Sequence, residues 1–323
     1  MKQILLLTAV AAAAIVLIPV NRTLPECETE PEIPLTLYIE ESAVPARQTG
    51  IRLLRDGDVT LCPEEEYLAS VILCEMPPDF EPEALKAQAV AARTFVSRQA
   101  QNGKHENADV CTDSGCCQAW MSTDALREKY ADRFPAVWQK ALSAVQQTKD
   151  EVLTYGGALI DATYFSCSGG STESAAAVWG SDVPYLQAVI SPGEETAPRF
   201  SSQVTVGTEE FRRTAESAGA VLTGKPERWI GAASYTSGGG VDTIEIGGKP
   251  FSGTEVRRLF GLNSTDFTVS VSESGFTFDV RGFGHRVGMS QYGAENMAMQ
   301  GFDYRSILLY YYQGARIEKR PVS

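Results

Sequence analysis

Residues 64–78 read EEEYLASVILCEMPP, and this stretch predicts the first helix of the fold. Leu68 and Ile72 share one apolar stripe at helical spacing, so a short helix is expected over Glu64–Glu75. The Met-Pro-Pro that follows ends it, because proline pushes the preceding residue out of the α region. The stripe also places Glu75 on the apolar face at the end of this helix.

Hydrophobic patterning extends the prediction in both directions. A second helix is expected from Pro82 to Gln101, closed by Gly103, and a third over 123–148. Alternating apolar residues between Leu35 and Leu61 indicate strands, with a hairpin tip at Asp56-Gly57-Asp58. Further strands are predicted at 151–165, 185–190, 200–206, 243–246 and 267–280, with a helical interlude near 208–219. The predicted class is α+β, with helices in the first half and a strand-rich second half around a substrate cleft.

The N-terminal segment predicts a membrane anchor. Residues 4–20 are apolar except for Thr8 and Pro19, which is close to the ~20 residues that span a bilayer. Lys2 before this run and acidic residues after it orient the remainder of the chain outward. We therefore expect an N-terminal transmembrane helix over 1–21, a linker over 22–34 and a catalytic region over 35–323. A cleaved signal peptide is the alternative, although no small-x-small site ends the run.

Composition excludes one class of partner. The net charge is −13 and no Lys/Arg-rich block occurs, so the chain lacks the positive charge that a nucleic-acid phosphate backbone attracts. A weakly charged glycan meets no such objection. The seven cysteines are an odd number and cannot all pair within one chain.

Glu75 has the surroundings of a general acid. Its carboxylate lies where the helix dipole disfavours negative charge, and partial burial disfavours it as well. Both effects raise the pKa, as an acid working at neutral pH requires. The alternative is a solvated glutamate at a frayed helix end.

A polar loop after the second helix carries candidate metal ligands. His105, Cys111 and Cys117 are spaced by six residues, and one imidazole with two thiolates suits Zn²⁺ and leaves a fourth position open. Cys116 competes with Cys117 as a ligand. A Cys111–Cys117 disulfide beside a surface histidine is the alternative.

Two glycine-rich stretches, residues 166–172 and 282–293, are candidate sugar-binding segments. Their glycines free the backbone to approach a polymer, whereas the spacing does not fit a dinucleotide-binding loop. A plain turn is the alternative for the first stretch. The candidate side chains and backbone donors are Ser166, Ser168, Gly169, His285, Ser290, Gln291 and Tyr292.

Three segments together resemble the stage II sporulation protein D family, which includes related amidase enhancers. They occur in the family order over roughly residues 60 to 315. They are Val71–Pro77 continuing into Ala84–Phe95; Phe165–Gly170 with Val178-Trp-Gly180 and Pro184-Tyr-Leu186; and Gly282–Ala294. Two departures are visible, Arg286 in place of the glycine of the usual Gly-His-Gly and Cys167 in place of a small residue.

The resemblance implies a peptidoglycan lytic transglycosylase that acts on the septal wall between mother cell and forespore during engulfment. It implies that Glu75 is the catalytic acid and then the base, and that Arg93 orients Glu75 or the sugar. Some family members resemble the His105, Cys111 and Cys117 pattern and carry zinc beside the active site.

The resemblance also implies partners. It suggests glycan strands already stripped of stem peptides by an amidase (stage II sporulation protein P) and a membrane scaffold (stage II sporulation protein M). Two rival functions are a glycan-binding activator of an amidase that does not cut, and a hydrolase whose second carboxylate comes from residues 150–315.

Overall fold

The computed structural model describes residues 50–320. The predicted anchor, the linker and the strand expected from Leu35 lie outside these residues. Among the described residues, no helix is both long and apolar enough to cross a membrane.

Helices and strands are mixed along the described chain, which confirms the α+β class. The helices of residues 50–320 are α1 (Glu64–Glu75), α2 (Pro82–Asn102), α3 (Thr123–Tyr130), α4 (Phe134–Gln147), α5 (Ala175–Trp179), α6 (Thr208–Ser217), α7 (Gly253–Phe260), α8 (Gln291–Met299) and α9 (Tyr304–Tyr311), with 3-10 turns at Ala131–Arg133 and Pro226–Arg228. The strands of the same region are β1 (Ile51–Arg55), β2 (Asp58–Cys62), β3 (Val110–Cys111), β4 (Glu151–Tyr155), β5 (Ala158–Leu159), β6 (Tyr164–Phe165), β7 (Ser201–Val206), β8 (Ile230–Tyr235), β9 (Val241–Ile246), β10 (Lys249–Ser252), β11 (Asp266–Ser272), β12 (Gly275–Arg281), β13 (Met289–Ser290) and β14 (Arg316–Lys319). The second half is strand-rich as predicted, since β4 to β14 all follow residue 150, but helices are not confined to the first half, because α5 to α9 follow residue 150 as well.

Helix α2 is the centre of the first hydrophobic core. It packs against α1, α4, α8, α9 and β4. Its buried face is rich in alanine, and small side chains at a contact let neighbouring elements approach closely. Three small sheets surround it, with strand orders β2-β1-β3, β14-β4-β5 and β13-β6.

Residues 201–281 form a second core of their own. Two three-stranded sheets, ordered β10-β9-β8 and β11-β12-β7, enclose it together with α6 and α7. Phe211 is at its centre, stacked 3.7 Å from Phe276 and 4.9 Å from Phe260 between ring centroids. The first residue of β7 pairs with the last residue of β12, so the chain enters and leaves this unit side by side.

Several predicted elements are confirmed and two are corrected. The helix Glu64–Glu75 has the predicted limits, and Gly103 ends α2 with a left-handed φ of 61°. The predicted helix over 123–148 is broken, because Ala131 takes a φ of 46° and Pro135 starts a new helix. The predicted strand at 185–190 is wrong, since only Ile190 forms an isolated bridge.

Candidate active site

Glu75 is the last residue of α1 and opens onto a cavity. Met76 after it is extended, with φ −121° and ψ 148°, as a residue before proline must be. This turn leaves the Glu75 carboxylate half-buried, with Oε1 accepting a hydrogen bond from the Ala119 N–H at 2.9 Å.

Burial dominates the electrostatics of this carboxyl group. Desolvation raises the pKa of Glu75, and the Ala119 N–H and the Gln291 amide only partly oppose it. The mechanism is the one expected from the sequence, in which a low-dielectric environment disfavours the charged form.

The cavity beside Glu75 has a volume of about 690 Å³. Its wall combines side chains from both ends of the described chain, which confirms that helices and later segments meet at a cleft. The lining residues are Cys74, Glu75, Phe95, Ser114, Cys117, Gln118, Ala162, Thr163, Tyr164, Phe165, Ser166, Arg199, Phe283, Gly284, His285 and Gln291.

Gln291 places its side-chain amide at this cavity, close enough to the Glu75 carboxylate to lower the pKa of that group. Its side chain is 4% exposed, and Nε2 has no hydrogen-bond partner among the described residues. A buried polar atom without a partner is costly, so a ligand oxygen in the cavity would satisfy it.

His285 faces the cavity as a neutral imidazole. Burial lowers its pKa to about 4, with a further contribution from Arg257, while an interaction with the Tyr164 carbonyl acts in the opposite direction. Nδ1 accepts a hydrogen bond from the Val287 N–H at 3.1 Å, which assigns the proton to Nε2. The ring lies between Phe165, at 5.6 Å, and Trp179, at 5.4 Å between centroids.

Some predicted sugar-binding residues do not line the cavity. Ser168 is fully buried and donates a hydrogen bond from Oγ to Glu194 at 2.9 Å. Ser290 is also fully buried and caps α8 by accepting the Gly293 N–H. Gly169 packs its backbone against the end of β12, and half-buried Tyr292 packs edge-on against Phe80. Of the predicted set, Ser166, His285 and Gln291 line the cavity together with Glu75.

Arg93 has a different place from the one predicted. It is 2% exposed, and its guanidinium donates to Glu64 at 2.9 Å and to the carbonyl of Thr148 at 2.8 Å. Arg320 donates to the same Glu64 carboxylate at 2.7 Å. The expectation that Arg93 orients Glu75 or the sugar is therefore wrong, because these buried groups occupy its donors.

Arg286, the departure from the glycine motif, is also structural. It is fully buried with a φ of 66°, and it donates to the carbonyls of Ser168 at 2.7 Å and Gly238 at 2.7 Å. Glu173 lies 3.4 Å from its guanidinium and accepts the Gly240 N–H at 2.9 Å. Arg286 therefore joins the loop behind the cavity to the β8–β9 turn of the second core.

The predicted metal ligands converge, and Cys116 joins them. The ligand atoms of His105, Cys111, Cys116 and Cys117 all lie within 4.8 Å of one another, and His105 Nε2 is 3.2 Å from Cys117 Sγ. Cys111 and Cys117 are free thiols, so the disulfide alternative does not apply. An imidazole with three sulfurs is a donor set that fits a tetrahedral metal ion.

The candidate metal-binding cluster is adjacent to Glu75. Cys117 lines the same cavity as Glu75, and two residues later Ala119 donates its N–H to the Glu75 carboxylate. A metal held by the cluster would fix the loop that carries this donor.

Three polar or aromatic residues of the site were not predicted. Trp179 is 47% exposed and lies over His285. Gln118 donates to the Tyr164 hydroxyl at 2.8 Å, and both line the cavity. Trp179 belongs to the Val-Trp-Gly segment noted in the sequence, which was the available signal. No comparable signal in the sequence marked Gln118 and Tyr164, because their partners are distant in sequence.

Comparison with known proteins gives consistent matches. A family model described as stage II sporulation protein matches residues 57–155. The chain is 34% identical to stage II sporulation protein D of Bacillus subtilis, over 99% of this chain and 96% of that protein. It is 36% identical to stage II sporulation protein D of Bacillus amyloliquefaciens, over 88% and 81%. An amidase enhancer of Bacillus subtilis is 30% identical, over 77% of this chain and 40% of that protein.

Proposed function

Because the chain belongs to the stage II sporulation protein D family, we propose that it is a lytic transglycosylase of peptidoglycan glycan strands. The observation that carries the proposal is Glu75, a half-buried carboxyl group with a raised pKa at the wall of a cavity. A general acid that is protonated near neutral pH needs these surroundings.

One carboxyl group performs both proton transfers in this reaction. Glu75 protonates the glycosidic oxygen, and the bond to C1 breaks through an oxocarbenium-like transition state. The carboxylate then removes the proton from the C6 hydroxyl of the muramic acid residue, whose oxygen attacks C1. The product is a 1,6-anhydro end, and no water is consumed.

Other residues of the wall hold the sugar. The Ala119 N–H fixes one carboxylate oxygen of Glu75, so the other oxygen is the one that exchanges the proton. Gln291 Nε2 and His285 Nε2 donate hydrogen bonds to sugar oxygens, and Trp179 offers an apolar ring face beside them. An aromatic residue with an apolar face suits the C–H face of a sugar ring.

Analysis of the chain ends tests the proposal. Purified glycan strands without stem peptides are incubated with the protein, and the new ends are identified by mass. Anhydro ends are expected. Reducing ends would indicate a hydrolase, and absence of cleavage would favour a protein that only binds glycan.

A glycan-binding activator of an amidase, which does not cut, is the second candidate function. One relative is named an amidase enhancer, so a glycan-binding activator could use the same cavity without the chemistry of Glu75. Stimulation of an amidase that is unchanged in a Glu75→Gln variant would favour this function.

We also propose that the cluster of His105, Cys111, Cys116 and Cys117 binds Zn²⁺. A three-ligand site with an open position was expected from the sequence, whereas four donors lie together here. Zinc would hold the loop before Ala119, and it would do so without taking part in proton transfer.

Zinc content is expected to depend on the cluster. Cys111→Ser should lower the zinc bound per purified chain at least several-fold, because thiolate ligands dominate such a site. Cys62→Ser, a half-buried cysteine outside the cluster, is the matched control and should retain the metal. Elemental analysis measures both, and equal zinc in the two variants would contradict the assignment. Separate Cys116→Ser and Cys117→Ser variants show which sulfur completes the site.

The dependence of cleavage on pH should reflect Glu75 and not His285. The acid form of Glu75 is required, so kcat/KM should fall as pH rises through its raised pKa, which lies above the ordinary value of about 4.3. His285, with a pKa of about 4, stays neutral from pH 5 to 8 and should add no step there. A profile of kcat/KM against pH tests this, and His285→Gln should lower the rate without moving the descending limb. A limb that moves in this variant would contradict the assignment.

The cellular setting is proposed from the sequence and the family. An N-terminal single-pass anchor would hold the catalytic region in the space between mother-cell and forespore membranes. There the chain would remodel the septal wall during engulfment, with stage II sporulation protein P as the partner amidase and stage II sporulation protein M as the scaffold.

A further inference from the structure

One face of the sheet β11-β12-β7 is a grid of short polar side chains. The register places Thr268, Asp279 and Gln203 side by side across the three strands. The row towards one end of the strands holds Asp266, Arg281 and Ser201, and the row on the other side holds Ser270, Thr277 and Thr205. The opposite face carries the apolar residues that pack into the second core.

This polar face borders a concave region. Residues of all three strands line a cavity of about 650 Å³, which is nearly as large as the cavity at Glu75. Gln203 Nε2 donates to Asp279 Oδ1 at 2.8 Å, so the two side chains are held in place on the exposed surface. Eight of these nine side chains are short or neutral and only Arg281 is a long cation, so the face offers hydroxyl, amide and carboxylate groups for hydrogen bonding.

The same strands lead directly to the active-site cavity. Beyond the pair Ser201 and Arg281, the ladder continues with the Gly282 N–H donating to the Phe200 carbonyl at 2.8 Å. The next residues, Arg199 and Phe283, stack on each other at 4.5 Å and line the cavity that contains Glu75. From Gln203 to Ser201 the strand spans roughly 7 Å at ~3.3 Å per residue, and Arg199 lies in the turn that precedes it, so more than one sugar ring is needed to reach from Gln203 to the cavity.

From this continuity we infer that the polar face of β11-β12-β7, centred on Gln203 and Asp279, is a distal subsite for the glycan strand. Amide, carboxylate and hydroxyl groups there hydrogen-bond the sugar hydroxyls of residues that extend beyond the cleaved bond. The inference rests on the proposed function in that it takes the strand in the active-site cavity to be glycan. It adds that the chain binds long strands better than short ones.

Binding to strands of two lengths tests the subsite. Glycan of two disaccharide units and strands of many units are titrated against a Glu75→Gln background, in which cleavage is expected to be at least about 10²-fold slower. The double variant Gln203→Ala, Asp279→Ala should weaken binding of long strands by about 5- to 10-fold, as the loss of one or two hydrogen bonds implies. Binding of the short glycan should not change.

The matched control is another hydrogen-bonded polar pair on the neighbouring sheet. Ser234 Oγ donates to Asp242 Oδ2 at 3.3 Å on the exposed surface, and Ser234→Ala, Asp242→Ala should leave both affinities unchanged. The inference is overturned if the parent protein binds long and short glycan equally, if the Gln203/Asp279 variant keeps the preference, or if it weakens both lengths to the same extent. Absence of cleavage by wild type would instead count against the transglycosylase, and leaves this binding comparison intact.

Discussion

Replacing Glu75 with glutamine is expected to lower glycan cleavage by about 10²- to 10⁴-fold, the contribution of a general acid. Glutamine keeps the shape of the side chain, and its oxygen can still accept the Ala119 N–H, but it cannot deliver or accept the proton. Glycan binding should persist, because Gln291 and His285 are untouched. The measurement is the rate of appearance of anhydro ends from purified strands.

A matched variant distinguishes loss of the Glu75 proton donor from loss of a negative charge elsewhere on the same helix. Glu66 is exposed on α1, so Glu66→Gln should cleave as wild type does. Equal cleavage by the Glu75 and Glu66 variants would remove Glu75 from the mechanism. Persistent reducing ends would point to a second carboxylate elsewhere in the cavity.

Replacing Arg286 with glycine is expected to lower the free energy of unfolding by about 3–5 kcal/mol, as removal of one partner from a buried ion pair does. Glycine accepts the φ of 66° at this position, so the loss comes from the guanidinium and not from the backbone. The change leaves Glu173 buried and the carbonyls of Ser168 and Gly238 without their donor. Denaturant unfolding measures the difference.

The double variant Arg286→Gly, Glu173→Gln is the internal control. It removes the unpaired buried charge, so part of the lost stability should return. Arg316→Ala, at an exposed arginine on β14, should change the stability by less than about 0.5 kcal/mol. An Arg286→Gly protein as stable as the Arg316 variant would show that the buried pair does not join the two cores.

The sequence correctly predicted helices whose signals lie in neighbouring residues. Helix α1 has the predicted ends, because its apolar stripe and the Met-Pro-Pro stop act over neighbouring residues. The break at Ala131 was missed although Pro135 signalled it. Helices α8 and α9 were missed as well, even though Ser290 and Asp303 are the kind of N-cap residue that announces a helix.

A site residue was predicted correctly where its chemistry and a sequence motif indicated the same role. It was misplaced where buried partners from distant parts of the chain determine its role. Glu75, Ser166, His285 and Gln291 lie together as expected. Arg93 was misplaced because its partners Glu64 and Thr148 are 29 and 55 positions away, so no local pattern reveals that its donors are occupied. Ser168 was misplaced for the same reason, because the sequence does not connect it with Glu194.

Contacts between residues far apart in sequence determine when the candidate site can form during folding. Glu64, at the start of the helix that carries the acid, is bonded by Arg320, 256 positions later, and Gln291 meets Glu75 only when α8 has docked. Folding that depends on contacts so distant in sequence is slow, and larger chains pass through partly folded states. A chain that is still being synthesised therefore lacks the complete candidate site around Glu75. The chemistry proposed for Glu75 can begin only after the residues as far as Arg320 are available to fold.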